Sequence, residues 1–231
     1  MKVSLDREVK MIADRIEKLK GIIVDYASLI EDMIDKSVRG LIEKNEEKLI
    51  SVIEDYEPNA NEREIEIEEM CVELIAQFQP RAKDLRIVLM ILKMNNDLER
   101  MGDHSVNIAQ SALSLIEFPE IKPLFELPEL SEETKRMLND SIDAFINEDA
   151  TKSKEVCERD NIIDNLRNKI LKESIDYMIK EPMTIERNMH LIRITKNLER
   201  IADLSTNVCE DVIYVVKGKV IKHHLEDKQF D

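Results

Sequence analysis

Tryptophan is absent from this 231-residue chain, and glycine (4), proline (6) and aromatic residues (4%) are scarce. A sheet protein needs turn glycines and aromatic or β-branched strands, so these shortages disfavour strands and point to long helices. Nor does any stretch approach the run of about 18 uncharged apolar residues that a membrane span requires. The opening MKVSLDREVK lacks the apolar centre of a signal peptide. The chain therefore reads as cytosolic, not integral to a membrane. Basic residues are outnumbered 34 to 49 by acids, leaving a net charge of −15. Such a surface repels nucleic acid and anionic lipid and is better suited to cations. The three cysteines, Cys71, Cys157 and Cys209, form no C-x-x-C and sit among apolar neighbours. They read as buried, reduced thiols and not as a zinc or redox centre.

Catalytic apparatus is missing as well. The chain holds no G-x-x-x-x-G-K-[ST], no G-x-G-x-x-G and no G-x-S-x-G. None of its histidines, His104, His190, His223 and His224, follows a glutamate by three residues, the pairing used by inward-facing di-iron sites in helical bundles. A carboxylate-bridged di-metal enzyme is therefore the lesser alternative, and no enzymatic activity is expected.

What the chain does have is amphipathic helical periodicity, with 43% hydrophobic residues to build a core. The pattern predicts a helix over 4–44 with Ser4 as its cap, a break at Asn45, and a second stretch to Gln79 that Pro58 should break or kink. A third helix, opened by Pro80, should run to about Ile116. Pro119, Pro123 and Pro128 mark 119–130 as a linker. Beyond it the order repeats: a helix capped by Ser131, a break near Asp149, a helix to Lys180, and a last one from Pro182 to about Lys217. The expected architecture is all-α, two tandem, pseudo-repeated antiparallel three-helix bundles at 1–118 and 131–231. In the third helices, heptads through Leu98, Met101, Ser105 and Ile108, and through Leu198, Ile201, Ser205 and Val208, define the seams. The repeated serines should bond back to a carbonyl one turn earlier.

NNDLERMGDHSVN at 95–107 returns as TKNLERIADLSTN at 195–207. At about 100° per residue, Glu99, Asp103 and Asn107 form a stripe nearly opposite the seam, as do Glu199, Asp203 and Asn207. Core packing does not account for their repetition. A solvated charged face is the common reason for such acids, but acids at i and i+4 repel unless a cation lies between them. On the second helix of the second half, Asp160 and Asp164 repeat the spacing on a flank that can adjoin the Glu199 stripe. The corresponding first-half flank carries Glu57, Asn61, Glu64 and Glu68. An all-oxygen cluster of this kind suits hard cations such as Mg²⁺, Ca²⁺, Mn²⁺ or oxidised iron, and its carboxylates can bridge more than one ion. A helical interaction scaffold without metal is the competing reading.

The motifs Glu99-Arg-Met-Gly-Asp103, Asp160-Asn-Ile-Ile-Asp164 and Glu199-Arg-Ile-Ala-Asp203 resemble the signature of the PhoU family of phosphate-uptake regulators. VIED at 52–55, CVELIAQFQPRAKDLRIVLMILK at 71–93, LERMGDHSVNI at 98–108 and LERIADLSTNVCE at 198–210 extend the likeness over nearly the whole chain. The resemblance implies tandem three-helix bundles with a metal site, often multinuclear, on the outer face of each. It favours iron, with Mn, Zn, Mg and Ca as alternatives. It also implies a cytoplasmic negative regulator that couples a phosphate ABC transporter to a sensor histidine kinase; the sequence leaves a homo-oligomer open. Carried over, the ligands are Glu99, Asp103 and Asn107 in one half and Asp160, Asp164, Glu199, Asp203 and Asn207 in the other. One motif departs: Glu57-Pro-Asn-Ala-Asn61 stands where an acid-to-aspartate pair belongs, beside an apparent one-residue insertion. Glu57, Asn61 and Glu64 are thus the less regular set, and the two sites should differ.

Overall fold

The computed structural model describes residues 2–119 and 126–217, with side chains from residue 10 onward. Seven α-helices carry the fold: α1 (Lys2–Ile42), α2 (Glu46–Ser51), α3 (Glu57–Phe78), α4 (Lys83–Ile116), α5 (Leu127–Ile146), α6 (Ala150–Lys180) and α7 (Ile185–Lys217). A π-helical turn, Val52–Tyr56, joins α2 to α3, and a 3₁₀ turn, Pro182–Thr184, leads into α7. No strand occurs among the described residues.

The two breaks between helices are built alike. Lys44 and Glu148 take positive φ (52° and 51°), and the next residue caps the following helix. Asn45 Oδ1 accepts from the Lys48 amide at 3.0 Å, and Asp149 Oδ1 accepts from the Thr151 and Lys152 amides at 2.9 and 3.0 Å. Each satisfies amides that the first turn would otherwise leave unpaired. At the first break the returning chain comes so close to α1 that a Cβ on Gly40 would lie 2.5 Å from Leu49 Cδ2.

Four local expectations are corrected. Ser4 lies inside α1, which starts at Lys2, and so does not cap it. Pro58 breaks nothing. The Glu57 amide donates to Val52 O in the π turn, and Pro58 enters the first turn of α3, where a missing N–H costs little. Pro80 precedes α4 by three residues, because Gln79 is left-handed (φ 45°, ψ 56°) and Ala82 also has positive φ. The linker ends earlier than 130: α5 starts at Leu127 with Pro128 in its first turn, burying Leu127 and Leu130, so Ser131 is a buried interior residue, not a cap.

The predicted seams are buried throughout, from Ile87 to Leu115 on α4 and from Leu191 to Val215 on α7. Ser105 Oγ donates to Met101 O at 2.9 Å and Ser205 Oγ to Ile201 O at 3.0 Å. The two bundles then join. α4 packs on α7 and α1 on α5, and one hydrophobic cluster runs from Ile12 to Val215. Lys93 Nζ to Asp211 (2.7 Å) and Lys135 Nζ to Asp35 (2.7 Å) span the junction. Among the described residues, no helix is long and apolar enough to cross a membrane.

Burial also fixes the register between the halves. Leu49 and Val52 correspond to Ser153 and Val156, 104 residues on; past the π turn, Ala60, Ile67 and Cys71 correspond to Ile163, Ile170 and Ser174, 103 residues on. The π turn is thus where the first half carries its extra residue, a common way for a helix to absorb one.

Candidate metal centre

α4 is flanked by α1, α3 and α7, and α7 by α4, α5 and α6. The strip left for the repeated acids is narrow, and its leading residue is shaded on both helices. Glu99 and Glu199 are partly buried, whereas Asp103, Asn107 and Asn207 are exposed. The Glu199 side chain keeps 15% of its exposure against 38% for Asp203 one turn on.

In the second half, Arg167 of α6 ties the two helices together. Its Nη1 donates to Glu199 Oε1 at 3.1 Å and its Nη2 to Asp164 Oδ1 at 2.5 Å. Asp164 and Glu199 are therefore brought to one place, with a guanidinium between them. Asp203 accepts from Arg200 Nη1 at 3.0 Å on its own helix. With Asn207 it borders a groove of about 430 Å³ that Arg100, His104 and Arg200 also line. The α7 stripe thus divides: Glu199 is held to α6, while Asp203 and Asn207 open toward α4. Asp160 lies one turn before Asp164, close enough to act electrostatically on Cys157.

The first half assembles differently. Burial pushes the Glu99 carboxyl up, the charges of Asp103 and then Glu64 push it further, and Arg100 opposes them. These three acids come from α3 and α4. A group that sequence reasoning missed joins them from α1. Tyr26 is fully buried, its Oη has no hydrogen-bond partner, and its phenol is pushed up by burial and then by Glu64, Glu99 and Asp103. Asn61 and Glu57 follow at about one and two turns before Glu64 on α3, and Glu68 is exposed one turn after it. The 103-residue register pairs Glu57 with Asp160, Asn61 with Asp164 and Glu64 with Arg167. The charge at that last position is reversed between the halves.

Among the described residues, no three His, Cys, Asp or Glu side chains lie so close together that they would hold a metal ion as they stand. The donor chemistry still fits a hard cation in the first half, where positive charge would relieve the repulsion that raises Glu99 and give the Tyr26 oxygen a partner. In the second half Arg167 already supplies that charge. Two more residues escaped sequence reasoning. Asp97, which with Lys93, Asn207 and Asp211 lines a second groove between α4 and α7, has its carboxyl raised to about 6, first by burial and then by Asp211, against Arg100 and Lys93. His104 donates from Nδ1 to Asn197 Oδ1 at 2.8 Å across the α4–α7 junction. Carboxamide orientation assigns this tautomer, since Asn197 Nδ2 donates to Arg193 O.

A family model described as the PhoU domain matches the chain twice, over residues 23–112 and 127–212. The phosphate-specific transport system accessory protein PhoU homolog of Aquifex aeolicus is 38% identical over 214 residues, covering 92% of this chain and 96% of that protein. The homolog of Pseudomonas aeruginosa is 31% identical over 209 residues, covering 90% and 86%. The crystal structure of PhoU from Pseudomonas aeruginosa superposes with a TM-score of 0.85 at 31% identity, over 90% of this chain and 99% of that one. That of the phosphate transport system regulatory protein PhoU from Streptococcus pneumoniae gives 0.85 at 28% identity, over 92% and 100%.

Proposed function

This chain belongs to the PhoU family, and from that premise we propose that it is a cytoplasmic, cation-binding negative regulator of phosphate uptake. In this reading it links a phosphate ABC transporter to a sensor histidine kinase and restrains the phosphate-starvation response. The observation that carries the reading is the match of both halves to accessory proteins of phosphate transport, along nearly their whole length. The charge of −15 supports an adaptor that docks on basic loops of its partners.

The cation sites would be Glu57, Asn61, Glu64, Glu99, Asp103 and Asn107 in one half, and Asp160, Asp164, Glu199, Asp203 and Asn207 in the other. A bound cation, with iron favoured, would supply the positive charge that links neighbouring helices through their carboxylates. The protein's own part is to hold those oxygens on rigid helices whose opposite faces are locked into the core. Arg167 favours a second reading for its own half: a scaffold cross-linked by a guanidinium, without metal.

Two measurements test the proposal. Elemental analysis of untagged protein should find metal that is reduced when Glu199 and Asp203 are both changed to alanine, and falls further when Glu99 and Asp103 are changed too. Equal and negligible metal in all three would reject the cation sites. Deletion of the gene should derepress phosphate-starvation genes in phosphate-rich medium, and unchanged repression would reject the regulatory role.

A further inference from the structure

The cysteines that look scattered in sequence are not scattered in space. Arg167 and Glu199 fix α6 antiparallel to α7 at 3.1 Å. Ten residues toward the start of α6 lies Cys157, and ten toward the end of α7 lies Cys209, so the two face each other across the interface. The two thiols are close enough to act on each other's ionisation, and Ser153, one turn before Cys157, also acts on Cys209. Cys209 is fully buried and Cys157 is partly exposed; neither is in a disulfide. The pair is confined to the second half, because Ala109 stands on α4 where Cys209 stands on α7. Cys71, the remaining cysteine, is buried alone in the first half.

We infer that Cys157 and Cys209 form a reversible dithiol–disulfide site that takes a hydroperoxide as its oxidant. Cys157, the partly exposed cysteine of the two, loses its proton and attacks one peroxide oxygen. The O–O bond breaks, and the departing oxygen leaves as water, or as an alcohol from an organic peroxide. The sulfenic acid formed on Cys157 is then attacked by the Cys209 sulfur across the helix interface. The S–O bond breaks, a second water leaves with the Cys209 proton, and the S–S bond forms. The two thiols give up two electrons and two protons, and a small-molecule thiol restores them by exchange. Burial of Cys209 keeps peroxide from it, which favours cross-linking over oxidation of both sulfurs separately. Cys157 lies about one turn before Asp160 and Cys209 two residues beyond Asn207, so the bridge clamps α6 to α7 beside the second candidate cation site. The inference does not depend on the phosphate reading.

The test uses the full-length protein, reduced and freed of metal with a chelator, then treated with dilute hydrogen peroxide, denatured and alkylated. Mass spectrometry should find a single alkylated cysteine, Cys71, and a disulfide joining the peptides of Cys157 and Cys209, with all three cysteines alkylated again after dithiothreitol. Cys157→Ser and Cys209→Ala should each abolish the cross-link, and the latter places in α7 the residue that α4 already has. Three alkylated cysteines after peroxide would overturn the inference. So would oxygen added to Cys157 without a cross-link, or a disulfide to Cys71 or between two chains.

Discussion

The two halves set the same acids on their third helices and then treat them in opposite ways. In the second half the second helix offers Arg167, which donates to Asp164 and Glu199 and holds α6 to α7 by charge. In the first half the corresponding residue is Glu64, so the Glu99 carboxyl, pushed up first by burial and then by Asp103, meets a further negative charge, while the buried Tyr26 oxygen has no hydrogen-bond partner. One half has internal neutralisation of its acids, and in the other a cation, as proposed above, would have to supply it. A single reversal of charge is thus enough to make two copies of one fold treat the same acids differently.

The largest effect should come from making the second half resemble the first. Changing Arg167 to methionine leaves Asp164 and Glu199 facing each other, at a cost of about 2 kcal/mol in chelator-treated protein, since charge-assisted bonds of this kind contribute about 1.5–3 kcal/mol. The same change should tighten divalent-cation binding by roughly tenfold, which corresponds to about 1.4 kcal/mol. Urea titration and calorimetry would measure both, and unchanged stability and affinity would dissolve the comparison.

Next in size is Asp97, whose counterpart 100 residues on is the neutral Asn197. An acid with a raised folded value stabilises the fold fully below its unfolded value and loses that contribution as pH rises through the folded one. For Asp97 the loss runs from about pH 4 to about pH 6, its carboxyl being raised to about 6. Replacing it with asparagine should therefore stabilise the protein at pH 7 by about 2 kcal/mol and flatten stability across that window. A variant that melts earlier than wild type at pH 7 would show that the bond from Arg100 outweighs burial. Glu99→Gln should act in the same direction over its own window.

The smallest effect belongs to Tyr26. Removing its unpaired hydroxyl with Tyr26→Phe should raise stability by about 1 kcal/mol in the presence of a chelator, since an unsatisfied buried polar group costs about 1–3 kcal/mol. With a bound cation the advantage should shrink or reverse. Equal gains under both conditions would separate Tyr26 from the acids around it.

The helices, their order and the buried faces were legible in the sequence because each depends on local spacing. Ile87 to Leu115 and Leu191 to Val215 announce their seams by heptad, and Asn45 and Asp149 announce caps by residue type. Pro58 and Pro128 misled because proline in a first turn is benign, and only the backbone on its N-terminal side decides whether it stands there. The acids of the stripes were legible for the same reason as the seams, as a second message at the same period. Their neutralisation was not. Arg167 sits three residues past Asp164 in plain view, yet its service to Glu199 depends on how α6 slides along α7. Likewise Glu64 becomes its counterpart only once the π turn has placed the extra residue.

By itself the sequence determined an all-helical duplication, the faces that form its core and the acids that repeat outside it, since periodicity and capping act within a few residues. Tertiary packing alone decided that the two bundles would share one hydrophobic cluster through α4 and α7, that Tyr26 would be buried beside Glu64, Glu99 and Asp103, and that Cys157 would meet Cys209. Each of these contacts joins residues that no local rule connects, and the antiparallel register of packed helices brings them within reach.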